Sequence, residues 1–142
     1  MTLAEFLLAR IGEDEKLAQA AGGESWHVNS ESYPESISTG DPTWRDVVAG
    51  GRWGGEARIF DTDEDALHIA RWSPARALAE CDAKRRIIDL HQPTTHPVLP
   101  PECEWCGPDT ALDLDEQWPC LHLKLFALPY ADHPDYREEW KP

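Results

Sequence analysis

Two cysteines, Cys103 and Cys106, stand two residues apart and are followed at once by Gly107. In that arrangement two thiolates can converge on one ion while glycine relieves the tight turn behind them. A closed structural site needs four ligands, so the pair predicts two more from elsewhere in the chain. Cys120 supplies the third. It follows Pro119, which reads as the first residue of a helix, and a helix N-terminus lowers a thiol's pKa toward the thiolate that zinc requires. His91, His96, His122 and Cys81 compete for the fourth position. His91 is favoured because it closes the longest of the middle helices, and coordination there would tie two helices to the knuckle between them. His122 is the runner-up, although its spacing from Cys120 puts the two side chains on different helical faces. Cys81 shares an apolar face with Leu78 and Ile88, which suits a buried thiol better than a ligand.

The set therefore reads as one structural Zn2+ held by Cys103, Cys106, Cys120 and His91. A redox pair is the competing chemistry of a C-x-x-C motif, but such motifs open a helix, and Gly107 and Pro108 break one at this point. An iron–sulfur cluster would need Cys81 as its fourth thiolate, which its helical face disfavours. No other catalytic set is complete: there is no nucleophilic-serine elbow, no phosphate-binding glycine loop and no zinc-protease helix. His133, flanked by Asp132, Pro134 and Asp135, reads as a capped turn. The basic cluster Lys84, Arg85 and Arg86 has helical partners in Glu80 and Asp82, which weakens any case for phosphate binding. These absences favour a non-enzymatic role over an enzymatic one and leave the question open.

Several elements must position these residues. Thr2 and Glu5 have the form of a capping box, and Leu3, Phe6, Leu7 and Ile11 follow on one face, so a helix is predicted over residues 2–21, ended by Gly22 and Gly23. Residues 24–60 change to short β-favouring pieces at 26–29, 44–48 and 57–60, separated by prolines and glycine pairs, which predicts a small antiparallel sheet. The serine-rich stretch 30–39 reads as its most loop-like part. Helices are predicted over 62–71 and 74–91, the latter opened by Ser73 and Pro74 and closed by Pro93. A fourth is predicted over 119–128, with Leu121, Leu125 and Leu128 lining one face until Pro129 ends it. The knuckle at 103–120 lies in a proline-rich stretch with no hydrophobic periodicity, where a metal would supply the order that packing does not. Together these make one α+β domain over 1–142, with a small antiparallel sheet, about four helices and a zinc knuckle.

Chain length allows a single core, and seven tryptophans supply large buried areas that a disordered chain would not carry. Acidic residues outnumber basic ones 27 to 13, for a formal charge of −14. That field repels nucleic acid and anionic lipid, so direct nucleic-acid or membrane binding is not expected. The first ten residues lack a basic secretory n-region, no apolar run is long enough to span a bilayer, and the cysteine usage suits a reducing compartment; a cytoplasmic location is the expectation.

Three blocks, LAEFLLARIGEDE at 3–15, SPARALAECDAKRRIIDLH at 73–91 and ALPYADHPDYREEW at 127–140, give the chain a further reading. It resembles an uncharacterised family of small proteins from actinobacteria and their phages, a domain of unknown function. The resemblance includes a C-x-x-C knuckle, a Pro-Cys step before the terminal helix and a histidine near the end of the long helix, which supports His91 as the ligand. It implies no activity. Three roles follow as expectations: a zinc-stabilised domain acting through contacts with a protein partner; an acidic mimic of nucleic acid, or a phage or host regulatory inhibitor, suggested by the charge; and an enzyme working around His133 or the metal.

Overall fold

The computed structural model describes residues 1–29, 36–39, 46–49, 63–98, 100–107 and 118–142. Among these the chain adopts the expected α+β architecture, with four α-helices and a small antiparallel sheet. It divides into two compact units, one built from residues 1–13 and 81–142 and the other from residues 14–80.

Helix α1 (Leu3–Ala20) begins as its first residues dictate. The backbone N–H of Glu5 donates to the Thr2 hydroxyl at 3.2 Å, and the Glu5 carboxylate accepts the Thr2 N–H at 2.7 Å. Two donors that a helix start leaves orphaned are thereby satisfied. The helix stops where Gly22 and Gly23 take positive φ values of 107° and 69°, and the Gly23 N–H reaches back to the Ala18 carbonyl at 3.0 Å. This is the closing bond of a glycine C-cap, which side chains with a Cβ rarely reach.

In the first unit, Leu3, Phe6, Leu7 and Ile11 of α1 bury the face their spacing predicts. They meet Cys81 and Ile88 from α3 (Pro74–Leu90), Leu123 and Ala127 from α4 (Leu121–Ala127), and Trp140 of a closing 3-10 turn. Phe6 is the hub, with its ring centroid 5.0 Å from Trp140, 6.1 Å from Tyr136 and 6.3 Å from Tyr130. The Cys81 sulfur points to the Ile11 carbonyl at 3.8 Å, the buried role expected for it.

The leucine face of the last helix turns outward. Leu121, Leu125 and Leu128 do not form the buried face of α4; they are 40%, 48% and 45% exposed, while Leu123 and Ala127 are fully buried. Pro119 also lies outside the helix, and Cys120 is its N-cap. Cys120 must point inward to join the other sulfurs, and a helix that buries position 120 buries 123 and 127 with it, at spacings of three and seven.

The second unit holds the sheet, in the order β1 (His27–Asn29), β2 (Ser36–Ser38), β3 (Asp46–Ala49). Val28 pairs with Ile37 and Ile37 with Val48, and the register shifts between Ile37 and Ser38. Helix α2 (Asp63–Arg71) packs against β1. The central strand falls in the stretch read as most loop-like: Ser36, Ile37 and Ser38 are all buried. Paired on both sides, β2 has partners for its backbone, and pairing overrides the weak strand preference of serine. Residues 30–35, the expected strand at 57–60, the glycine pairs at 50–55 and the knuckle segment 108–117 lie outside the described residues. No helix among those described is long and apolar enough to cross a membrane.

Candidate metal centre

Four side chains from three places in the chain converge at one point of the first unit. The donor atoms of His91, Cys103, Cys106 and Cys120 all lie within 4.8 Å of one another. His91 Nδ1 is the common apex, 3.2 Å from Cys103 Sγ, 3.4 Å from Cys120 Sγ and 3.6 Å from Cys106 Sγ. His91, Cys103 and Cys120 are buried, and Cys106 is half-buried. Such a cluster could hold a metal ion.

Local structure explains the convergence. His91 follows α3 directly, with its N–H on the Ile87 and Ile88 carbonyls, and Gln92 turns its side-chain amide back to the Ile88 carbonyl at 2.7 Å. The chain then pairs antiparallel with the knuckle through a bridge between Pro93 and Cys103. Thr94 N–H donates to the Glu102 carbonyl at 2.7 Å, and Glu104 N–H to the Gln92 carbonyl at 2.9 Å. The Thr94 hydroxyl accepts the Glu102 N–H at 3.0 Å. After Cys106 the turn closes as Gly107 N–H reaches the Cys103 carbonyl at 3.0 Å, with Gly107 at φ +56°. Trp118 braces the third approach, donating its indole N–H to the His91 carbonyl at 3.1 Å and its backbone N–H to the Pro101 carbonyl at 2.9 Å. The peptide between Trp118 and Pro119 is cis, and Cys120 then enters α4.

The electrostatics follow from crowding. Burial pushes the Cys106 thiol up to about 12, and the neighbouring Cys103 and Cys120 sulfurs add to the rise. Cys120 is also raised, chiefly by burial and only partly opposed by the Leu123 N–H at its sulfur. The helix N-terminus thus lowers it as expected, through the Leu123 N–H, but desolvation contributes more in the opposite sense. His91 is held below its ordinary value by burial and then by the charge of His122. Without an ion, then, Cys106 and Cys120 are neutral thiols and His91 is biased to the neutral imidazole that binds metals.

All four residues favoured from spacing are brought together, while Cys81 and His96 lie apart from them and His122 stands beside them. Cys81 lies in the core against α1, and His96 is exposed, accepting the Val98 N–H at 3.2 Å. His122 is exposed beside the cluster, with Nδ1 3.5 Å from Cys106 Sγ and its ring centroid 5.0 Å from that of His91. His133 accepts the Asp135 N–H at 3.1 Å, touches Arg10 and packs edge-on against Phe6, as in a capped turn. The bracing by Trp118 and Thr94 was not foreseen from the sequence; the only signal for it is their place next to the Pro-Cys step and the proline that ends α3.

The fold and site define a small α+β protein with a three-cysteine, one-histidine cluster able to hold a metal ion. The chain belongs to the family of unknown function DUF6221, whose model matches residues 1–142. No curated protein and no solved structure matches it.

Proposed function

We propose that the cluster binds one structural Zn2+ and that the protein is a non-enzymatic domain acting through contacts with a protein partner. The convergence of three sulfurs on His91 Nδ1 carries the zinc reading. In a tetrahedral site with ordinary zinc bond lengths, nitrogen–sulfur edges come to about 3.5 Å. The edges here are 3.2, 3.4 and 3.6 Å. Three thiolates and one imidazole satisfy the four positions of a closed site, which leaves no open place for a substrate or an activated water. The ion would then clasp the end of α3, the knuckle and the start of α4 to one another. A cytoplasmic setting, which keeps thiols reduced, fits the same reading.

The exposed leucines of α4 and Trp105, which is 65% exposed at the knuckle tip, support the partner contact. Elemental analysis of protein purified without added metal tests the zinc reading, with wild type against Cys103→Ser. About one equivalent of zinc in wild type and a large loss in the variant are expected, and less than about half an equivalent in wild type would count against the site.

A further inference from the structure

Of the four clustered residues only Cys106 is not fully buried. Its sulfur faces two imidazoles, 3.6 Å from His91 Nδ1 and 3.5 Å from His122 Nδ1, whose ring centroids are 5.0 Å apart. His91 Nδ1 also faces both remaining sulfurs, so its lone pair is committed to the ion in the zinc reading. His122 has a different relation to the group: of the three sulfurs, Cys106 is the one it meets at hydrogen-bond range, and it stands outside the set whose donor atoms lie within 4.8 Å.

We propose that His122 is a fifth member of the metal centre, donating Nδ1–H to the metal-bound Cys106 thiolate, and that Cys106 is the sulfur through which soft electrophiles open the centre. This rests on the zinc reading. A thiolate bound to a metal remains a nucleophile, and a hydrogen bond to it withdraws charge and slows its attack. Cys103 and Cys120 are each only 1% exposed, so a reagent in solution reaches Cys106 first. With iodoacetamide as the electrophile, the Cys106 sulfur attacks the methylene carbon. A sulfur–carbon bond forms as the carbon–iodine bond breaks, iodide leaves with the bonding pair, and the neutral thioether lets go of the ion. Removing His122 takes away the restraint without taking away a ligand.

The test uses the full chain loaded with Co2+, whose thiolate-to-metal absorption reports charge on the sulfurs. Wild type, His122→Ala and His122→Asn are compared; asparagine keeps an N–H donor near the position of Nδ1. His122 is exposed, so both variants should fold. The absorption is recorded first, iodoacetamide is then added with a chelating dye, and mass spectrometry locates the modified sulfur. In wild type Cys106 should be alkylated before Cys103 and Cys120. His122→Ala should keep one equivalent of cobalt, shift the absorption to lower energy and release the ion about tenfold faster. His122→Asn should return both readings toward wild type. An unchanged band and rate in His122→Ala, or first alkylation at Cys103 or Cys120, would overturn the proposal. Loss of the ion from His122→Ala would also overturn it, by making His122 a ligand. A wild-type chain that takes up no cobalt fails at the first step and fells the zinc reading together with this one.

Discussion

His91 and Cys103 are twelve residues apart in sequence, yet Nδ1 and Sγ meet at 3.2 Å. The contact is built by backbone pairing: residues 92 to 94 run antiparallel to residues 102 to 104, so the chain's own backbone joins the end of α3 to the knuckle. This side of the centre is held by backbone hydrogen bonds, while Cys120 arrives from a separate helix.

That asymmetry orders the ligand variants. His91→Ala should lose metal affinity and melt at a lower temperature, because it removes the apex that touches all three sulfurs. His96→Ala, an exposed position outside the cluster, should leave both unchanged. Zinc content and thermal melts of the two proteins check this directly, and equal losses would move the apex away from His91.

Metal uptake should release protons. Cys106 and Cys120 are neutral thiols near pH 7 because their pKa values are raised, and each must lose its proton to coordinate. Calorimetric titration with zinc in two buffers of different ionisation enthalpy should give at least two protons per ion. As pH falls, protons compete for the sulfurs and the zinc should be lost.

The metal-free protein should show the reverse on its alkaline side. A thiol raised from 9.0 to about 12 in the fold stabilises it fully below about pH 9, and that contribution is lost as pH rises toward 12. His91 is lowered from 6.5, so its contribution is present above that value and is lost as pH falls through the lowered pKa. Melting temperature in a chelator should therefore be highest between about pH 6.5 and 9. With zinc bound the alkaline decline should disappear, since the thiolates are then the bound form.

The inward face of α4 has its own test. Leu123→Ala removes a fully buried side chain and should cost about 2–4 kcal/mol, whereas Leu125→Ala, at an exposed position, should change stability by less than about 0.5 kcal/mol. Denaturant melts of the zinc-loaded proteins separate the two, and equal costs would restore the leucine stripe as the packed face.

At the other end of the chain, Thr2→Ala should lower stability by about 1 kcal/mol through loss of the α1 cap. The Thr2 backbone N–H, and then its hydroxyl, hold the Glu5 carboxyl below its ordinary value of 4.5. The contribution of Glu5 is therefore present above that pH and fades as pH falls further, and Glu5→Gln should flatten that limb of the acid melt.

These residues also show what a reader of the sequence could and could not see. The α1 face, its cap and the glycine stop are local matters of spacing, and they were legible. So was the cluster, because the two-residue spacing, the Pro-Cys step and a histidine at a helix end are each local signals. The central strand was hidden, since Ser36 and Ser38 carry little strand preference and owe their state to neighbours far along the chain. The phase of α4 was hidden for a different reason. Three leucines vote for one face, and only the demand that Cys120 join the other sulfurs rotates the helix to the other.

Gly107 closes the knuckle at φ +56°, yet among the described residues a Cβ built there would meet nothing within 4 Å. The restriction that this φ imposes is torsional. Asparagine, which tolerates the left-handed region, is therefore an admissible replacement at a modest cost, while β-branched valine or isoleucine is barred by its backbone preference. Drift at position 107 is governed first by the backbone, so a substitution scan there should sort amino acids by their torsional preference.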